Sequence, residues 1–291
     1  MAIERQSTWG GLVTIDMFLG GMGAGVFAIA FVLILIGGMQ EMTLMGALLG
    51  PVLVIVGLIF LFLELRSPRN MYRVLTGFST SWMSRGALLQ TLFILFGLIY
   101  AVPAFFMPDW FLNTGGTIVG IIAFVLALLT AAYHGVFLSE ARGVPVWSSP
   151  VLPVASFFTA LCSGLGLMLL LFLAFVGSYP DYEVAAISGL MALAGIVFII
   201  AELIILWSLL SSRYSVTFTE SIKTVNGPVL STIVCLVVSL VILFAGLWVG
   251  GAVYMVWTSA VSGLLLLGSS YIIRSAIIKA GHYYPLQVPM S

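Results

Sequence analysis

Eight apolar stretches, each about 20 residues or longer, set the terms on which this sequence can fold. They run roughly over 12–36, 43–64, 86–107, 117–139, 151–177, 184–210, 228–250 and 253–275. A bilayer core about 30 Å thick is crossed by about 20 residues of helix. Backbone inside that core must satisfy its own hydrogen bonds, which a helix does within one segment. The expected fold class is therefore an all-α integral membrane protein with eight transmembrane helices. Composition agrees, since hydrophobic types make up 62% of the protein and charged types 7%. A soluble domain carries about 25% charged residues, so the main partner of this surface is the lipid bilayer. Turn or charge signals separate the stretches at Gln40–Glu41, Pro108–Asp109, Val144–Pro145, Pro180–Asp181 and Asn226–Gly227–Pro228. Gly250–Gly251 marks the last break. The opening MAIERQSTWGG lacks a basic region followed by a short apolar run and cleavage site, so the first helix is expected to be retained.

Charge follows the alternation of connections. One side of the membrane receives Arg5, Arg66, Arg69, Arg73, Arg85, Arg142, Arg213, Lys223, Arg274 and Lys279. The other receives Glu41, Asp109, Asp181 and Glu183, and no Lys or Arg. Basic loops stay in the cytoplasm, so both termini are expected there, in a multi-pass protein of the inner (cytoplasmic) membrane. One missed or invented helix would scramble this segregation, which supports the count of eight. A basic face could also dock an acidic partner, but that leaves the base-free opposite face unexplained. With a formal net charge of zero, a nucleic-acid partner has no electrostatic support. The motif GGMGAG (20–25) has a faint counterpart in CSGLG (162–166). If this is a repeat, the single membrane domain, 1–291, contains halves near 1–140 and 150–280, each a four-helix bundle. Glycines at such spacing let helix backbones approach closely in lipid.

Ionisable groups at membrane depth are expensive and mark functional sites. The candidates are Asp16, Glu64, His134 and Glu202, with Tyr133 beside the histidine. At 1.5 Å per residue, Asp16 lies roughly 6 Å, His134 roughly 8 Å and Glu202 roughly 12 Å in from the basic side. An acid, an imidazole and a phenol at one depth suit a quinone headgroup, whose two oxygens need hydrogen-bond partners and whose redox chemistry needs proton donors and acceptors. Duller readings stand beside this one. Glu64 could pair with Arg66 or Arg69 at the interface. His134 could be a neutral histidine bonded to a backbone carbonyl. Asp16 has no base within a helical turn, and Glu202 needs a partner from another helix or must stay protonated. Cys162 and Cys235 read as buried small residues. A membrane haem needs paired histidines on spanning helices, and the sequence has only His134 and His282. No metal-binding spacing, nucleotide-binding glycine loop or nucleophile motif is present, so no haem or metal is expected in this protein.

Four segments in order resemble the NrfD-like family, the quinone-reactive membrane subunits of polysulfide reductase and related complexes. They are IDMFLGGMGAG (15–25), ELRSPRNMYRVLTGFSTSWMSRGA (64–87), YHGVFLSEARGVPVWSSPVLPVASFFTALCSG (133–164) and Glu202 in the sixth helix. The resemblance covers helices 1 to 6. It implies a quinone, menaquinone or ubiquinone, bound as substrate near the start of helix 1 and the end of helix 4. Asp16 falls where relatives place a histidine or tyrosine contacting the quinone, and Tyr133 matches a tyrosine used likewise. The acid at position 16 departs from that pattern and favours proton acceptance. His134 is not a general family feature. The resemblance further implies a ferredoxin-like iron–sulfur subunit docked on the basic face, with Arg66, Arg69, Arg73, Arg85 and Arg142 as docking residues. Behind it stands a catalytic oxidoreductase subunit, with a molybdenum enzyme as one candidate. On this reading Asp16 and His134 carry the proton chemistry, Asp16, Tyr133 and His134 bind the headgroup, and Glu64 and Glu202 belong to a proton path. Several relatives place the quinone end outside the cytoplasm, whereas the charge count here puts it inside. The rival readings are a secondary transporter or proton channel and a passive membrane anchor. Against the first, the acids lie toward one face. Against the second, an anchor has no use for Asp16 and Glu202.

Overall fold

The computed structural model describes residues 4–5, 9–64, 81–141, 143–144, 146–211, 216–249 and 252–283. Among them are eight helices long and apolar enough to cross a membrane. In sequence order these are α1 (Gly11–Leu35), α2 (Gln40–Glu64), α3 (Trp82–Ala104), α4 (Thr114–Ser139), α5 (Leu152–Phe175), α6 (Asp181–Ser211), α7 (Val216–Val249) and α8 (Ala252–Lys279). Short 3₁₀ turns at Pro108–Leu112 and Val176–Ser178 punctuate the α3–α4 and α5–α6 connections.

Local chemistry sets the helix ends. Ser81 caps α3 by accepting from the Ser84 amide at 3.4 Å, and Asn113 caps α4 by accepting from the Gly115 amide at 3.3 Å. Helix α1 stops because Gly37 takes the left-handed conformation, φ 74°, and the Gly38 amide then turns back to the Leu33 carbonyl at 2.9 Å. One expected break is overturned: Asn226–Gly227–Pro228 lies inside α7. Pro228 supplies no amide, yet the helix continues through it, and the Ser231 and Thr232 hydroxyls donate to its carbonyl at 2.8 and 3.0 Å.

Helices α1 and α5 run against each other at the centre of the molecule. Helix α1 also touches α2, α4 and α8, while α5 also touches α4, α6 and α8. Helix α3 packs on α2 and α4, and α7 packs on α6 and α8. The glycine motifs make the central crossing. A Cβ on Gly25 would strike the Ala160 carbonyl, and one on Gly164 would strike the Gly25 backbone. Only hydrogen at these positions lets the two backbones touch. Gly23 and Gly50 do the same between α1 and α2.

The connections gather at two ends. At one end the Tyr179 hydroxyl accepts from the Glu41 amide at 2.9 Å, tying the α1–α2 turn to the α5–α6 turn. At the other, Gly10 donates to Glu64, Trp147 Nε1 donates to the Ile277 carbonyl at 2.7 Å, and the strand Glu4–Arg5 pairs with His282–Tyr283. The first and last described residues therefore lie on one side, as an even number of spans requires. Outward-facing side chains between these ends are largely apolar, including Ile59, Leu95, Val197, Ile204, Val241 and Leu264.

Candidate functional site

Asp16 and His134 meet in the interior. The Asp16 Oδ2 atom lies 4.0 Å from His134 Nε2, and the residues are 4% and 3% exposed. Helix α1 brings the acid and α4 the imidazole, and the glycine motif makes this approach possible. A Cβ on Gly20 would sit 2.9 Å from the imidazole, and one on Gly57 of α2 would sit 3.1 Å from Asp16 Oδ1. Gln90 of α3, 2% exposed, places its amide nitrogen 3.3 Å from His134 Nε2. Tyr133 lies within electrostatic reach of Asp16, and its hydroxyl donates to the Trp82 carbonyl at 3.4 Å, a long contact for an O–H donor. Its ring fills the space that Gly86 leaves open on α3.

Arg274 of α8 corrects the charge count. It was expected among the bases of the connections, but it is 4% exposed inside the helix cluster. Its Nη2 donates to the Ser156 carbonyl at 3.4 Å, and its charge reaches both Asp16 and Glu202. The reason is that α8 stays helical to Lys279, so Arg274 falls on the same buried face as Ser270 and Ile278 rather than at the helix end. Gly21 leaves room for the guanidinium, which a Cβ there would strike. Asp16 thus has a cation near it, supplied by a helix far along the sequence. Glu202, 1% exposed on α6, is bound through Oε1 to the Thr159 hydroxyl of α5 at 2.9 Å, and the Cys162 thiol adjoins it.

The remaining candidates stand apart. Glu64 is at the rim, where its Oε1 accepts from the Gly10 amide at 2.9 Å and caps the start of α1. Arg85 is exposed and lies over the Trp82 ring, 4.7 Å from its centroid. Arg66, Arg69, Arg73 and Arg142 lie outside the described residues. Toward the same end, Trp9 is sandwiched between Phe137 and Trp147, with ring centroids 5.2 and 5.1 Å away and interplanar angles of 13°.

Several atoms of the cluster have no hydrogen-bond partner among the described residues: Asp16 Oδ1, His134 Nδ1, Arg274 Nε and Glu202 Oε2. Beside them is a cavity of about 20 Å³ lined by His134, Ser156, Thr159 and Arg274, with Met17 and Leu152 among its apolar walls. That is room for one water. A larger space of about 270 Å³ opens further along α1, α4, α5 and α6, but its walls, such as Ile29, Phe124, Leu165 and Phe198, offer no polar side chain.

Fold and cluster together define a multi-span membrane protein with an acid, an imidazole, an amide and a guanidinium converging inside the bilayer. The protein belongs to the family described as polysulphide reductase, NrfD, whose model matches residues 2–284. It is 26% identical over 203 residues to the C subunit of polysulfide reductase from Wolinella succinogenes, a match covering 62% of this sequence and 64% of that subunit. It is 27% identical over 186 residues to protein NrfD of Escherichia coli, a match covering 56% of this sequence and 58% of that protein. Each match thus spans less than two thirds of the relative's length.

Three members of the cluster escaped the sequence reading: Arg274, Gln90 and Thr159. Gln90 had a usable signal, because Gly86, Gln90, Phe93 and Gly97 recur at helical spacing and form the buried face of α3.

Proposed function

We propose that this protein is the membrane subunit of a respiratory oxidoreductase, exchanging electrons and protons between the quinone pool and a docked iron–sulfur protein. The observation that carries the reading is the set of buried, unpartnered polar atoms on Asp16, His134 and Arg274. A buried polar group without a partner costs about 1–3 kcal/mol, and a fold keeps such groups where a ligand completes them. The ties around them are loose, at 3.3 Å for Gln90–His134, 3.4 Å for Tyr133–Trp82 and 4.0 Å for Asp16–His134. A quinone headgroup supplies oxygens that can hydrogen-bond to such groups. It is larger than the water-sized cavity, so it enters by displacing the Tyr133 hydroxyl from the Trp82 carbonyl and swinging the Gln90 amide aside. One headgroup oxygen then faces the Asp16–His134 pair.

Family membership supports the class, and the name of one relative, a lettered subunit of polysulfide reductase, points to a multi-subunit reductase. Quinol oxidation releases two electrons and two protons. The electrons go to the iron–sulfur partner, Asp16 accepts one proton from the headgroup and His134 accepts the other. In the reverse direction the two residues return them. The basic face, with Arg85 and the sequence neighbours Arg66, Arg69, Arg73 and Arg142, receives the partner, behind which stands the catalytic subunit. The positive-inside rule puts this face in the cytoplasm.

Photolabelling tests the site. An azidoquinone should attach to the α1 and α4 peptides holding Asp16, Tyr133 and His134, and unlabelled quinone should compete it away. Labelling confined to the apolar space near Phe124 and Leu165, or none that quinone competes, would remove the reading.

A further inference from the structure

The contacts of Thr159 raise a question that the quinone site alone does not answer. Its Oγ1 lies 2.8 Å from the Ala155 carbonyl and 2.9 Å from Glu202 Oε1. A hydroxyl has one proton, while a carbonyl oxygen and a carboxylate oxygen are both acceptors. A proton on Glu202 Oε1 is donated to Thr159, which then donates to Ala155; when Oε1 is bare, as it is in the carboxylate, it takes the Thr159 hydrogen bond for itself. The Ala155 carbonyl tolerates the loss because it still accepts the helical amide of Thr159. The hydroxyl therefore has two rest positions, and a proton on Glu202 Oε1 selects the one on Ala155.

Thr159 also lines the water-sized cavity, together with His134 and Arg274. The residue is 3% exposed, and the cavity has unpartnered nitrogens nearby at His134 Nδ1 and Arg274 Nε. A cavity of about 20 Å³ with several polar walls has room for one water. His134, paired with Asp16 of α1, and Thr159, whose hydroxyl meets the Glu202 carboxyl of α6, both line that space.

We propose that Thr159 is a proton-relay residue, carrying protons between a water in the His134–Arg274 cavity and Glu202. This rests on the quinone reading above. The step balances without a further reactant. Thr159 gives its hydroxyl proton to Glu202 Oε1 and takes one on the same oxygen from the water. The water regains a proton from the His134–Asp16 pair, which received it from the quinol. The two electrons leave to the iron–sulfur partner. Glu202 changes from carboxylate to carboxylic acid, and the hydroxyl swings from Glu202 to the Ala155 carbonyl. Arg274 does not transfer a proton. Its fixed charge holds the water and lowers the cost of an ionised carboxyl on either side.

The purified complex is assayed with menadiol and decylubiquinol as electron donors. Thr159→Val keeps the shape and removes the hydroxyl. It should lower kcat on the order of tenfold or more, as loss of a proton-transfer group does, with KM within about twofold of the parent. Thr159→Ser should restore kcat to within about twofold. Should Thr159→Val fail to assemble, Thr159→Ala carries the same expectation. Redox-triggered infrared difference spectra should show a carboxyl band that Glu202→Gln removes and Thr159→Val shifts. Two results overturn the proposal: full kcat in a variant without the hydroxyl, or no carboxyl band assignable to Glu202. If Asp16→Asn abolishes turnover while Thr159→Val does not, the relay falls and the quinone site stands. If neither changes turnover, the quinone reading falls as well.

Discussion

Replacing Arg274 by Met should destabilise the protein more than any neutral core substitution of similar size. Methionine keeps the length and apolar stem of the side chain and removes only the charge and its donors. Arg274 is buried, with its guanidinium on the Ser156 carbonyl and its charge shared by Asp16 and Glu202. Removing one partner of a buried ionic set costs about 3–5 kcal/mol, because the remaining charges stay desolvated. The loss of the Ser156 contact accounts for about 1 kcal/mol of that. The rest is electrostatic and should be recoverable. Combining Arg274→Met with Asp16→Asn neutralises one of the stranded acids, so the double variant should lose less than the sum of the singles, by about 0.5–3 kcal/mol. The assay is reversible unfolding in mixed detergent–SDS micelles, read by far-UV circular dichroism, across the four members of the cycle. A single-variant loss under about 1 kcal/mol, or additivity within about 0.5 kcal/mol, would show that Arg274 does not neutralise the cluster.

Two further outcomes follow from the ends of the helices. Glu64→Ala removes the acceptor of the Gly10 amide at the start of α1, and should cost about 0.5–2 kcal/mol of stability in the same unfolding assay without altering quinone competition in photolabelling. Reversing Arg69 and Arg73 to Glu should weaken copurification of the iron–sulfur partner, with a parent complex that itself loosens as salt rises, since exposed charge contacts are screened over about 8 Å; copurification unchanged at every salt concentration would limit these arginines to a role in topology.

The eight spans were legible because length and apolarity alone decide them, and their termini shifted only where local chemistry intervened. Ser81 starts α3 at Trp82, earlier than the apolar run suggested, and α7 runs through Pro228 because a helix supported by neighbours tolerates an interior proline. Asp16, His134 and Glu202 were legible because an ionisable group in lipid has few innocent explanations. Arg274 has the same character, but reading every base as a loop charge hid it. Gln90 and Thr159 are harder to see. Neutral polar residues are common in apolar helices and often bond their own backbone, as Thr159 does with Ala155. The glycine motif announced close packing without naming its partners. In the structure Gly20 admits His134, Gly21 admits Arg274, and Gly25 admits the α5 backbone. That division depends on which helices surround α1, and no spacing within one segment encodes it. Glu64 shows the opposite case, an acid at a helix end that the fold uses as a cap at the site's rim.

The central claim is that Asp16 handles the quinone's protons, and the direct measurement is quinol-linked turnover of the assembled complex carrying Asp16→Asn. The substitution keeps size and hydrogen bonding and removes the ionisable acid. Turnover with menadiol or decylubiquinol should fall on the order of 10²-fold or more, as it does when a general acid or base is lost, while the soluble partners keep their activity with an artificial electron donor. Undiminished quinol-linked turnover in a fully assembled Asp16→Asn complex would contradict the account.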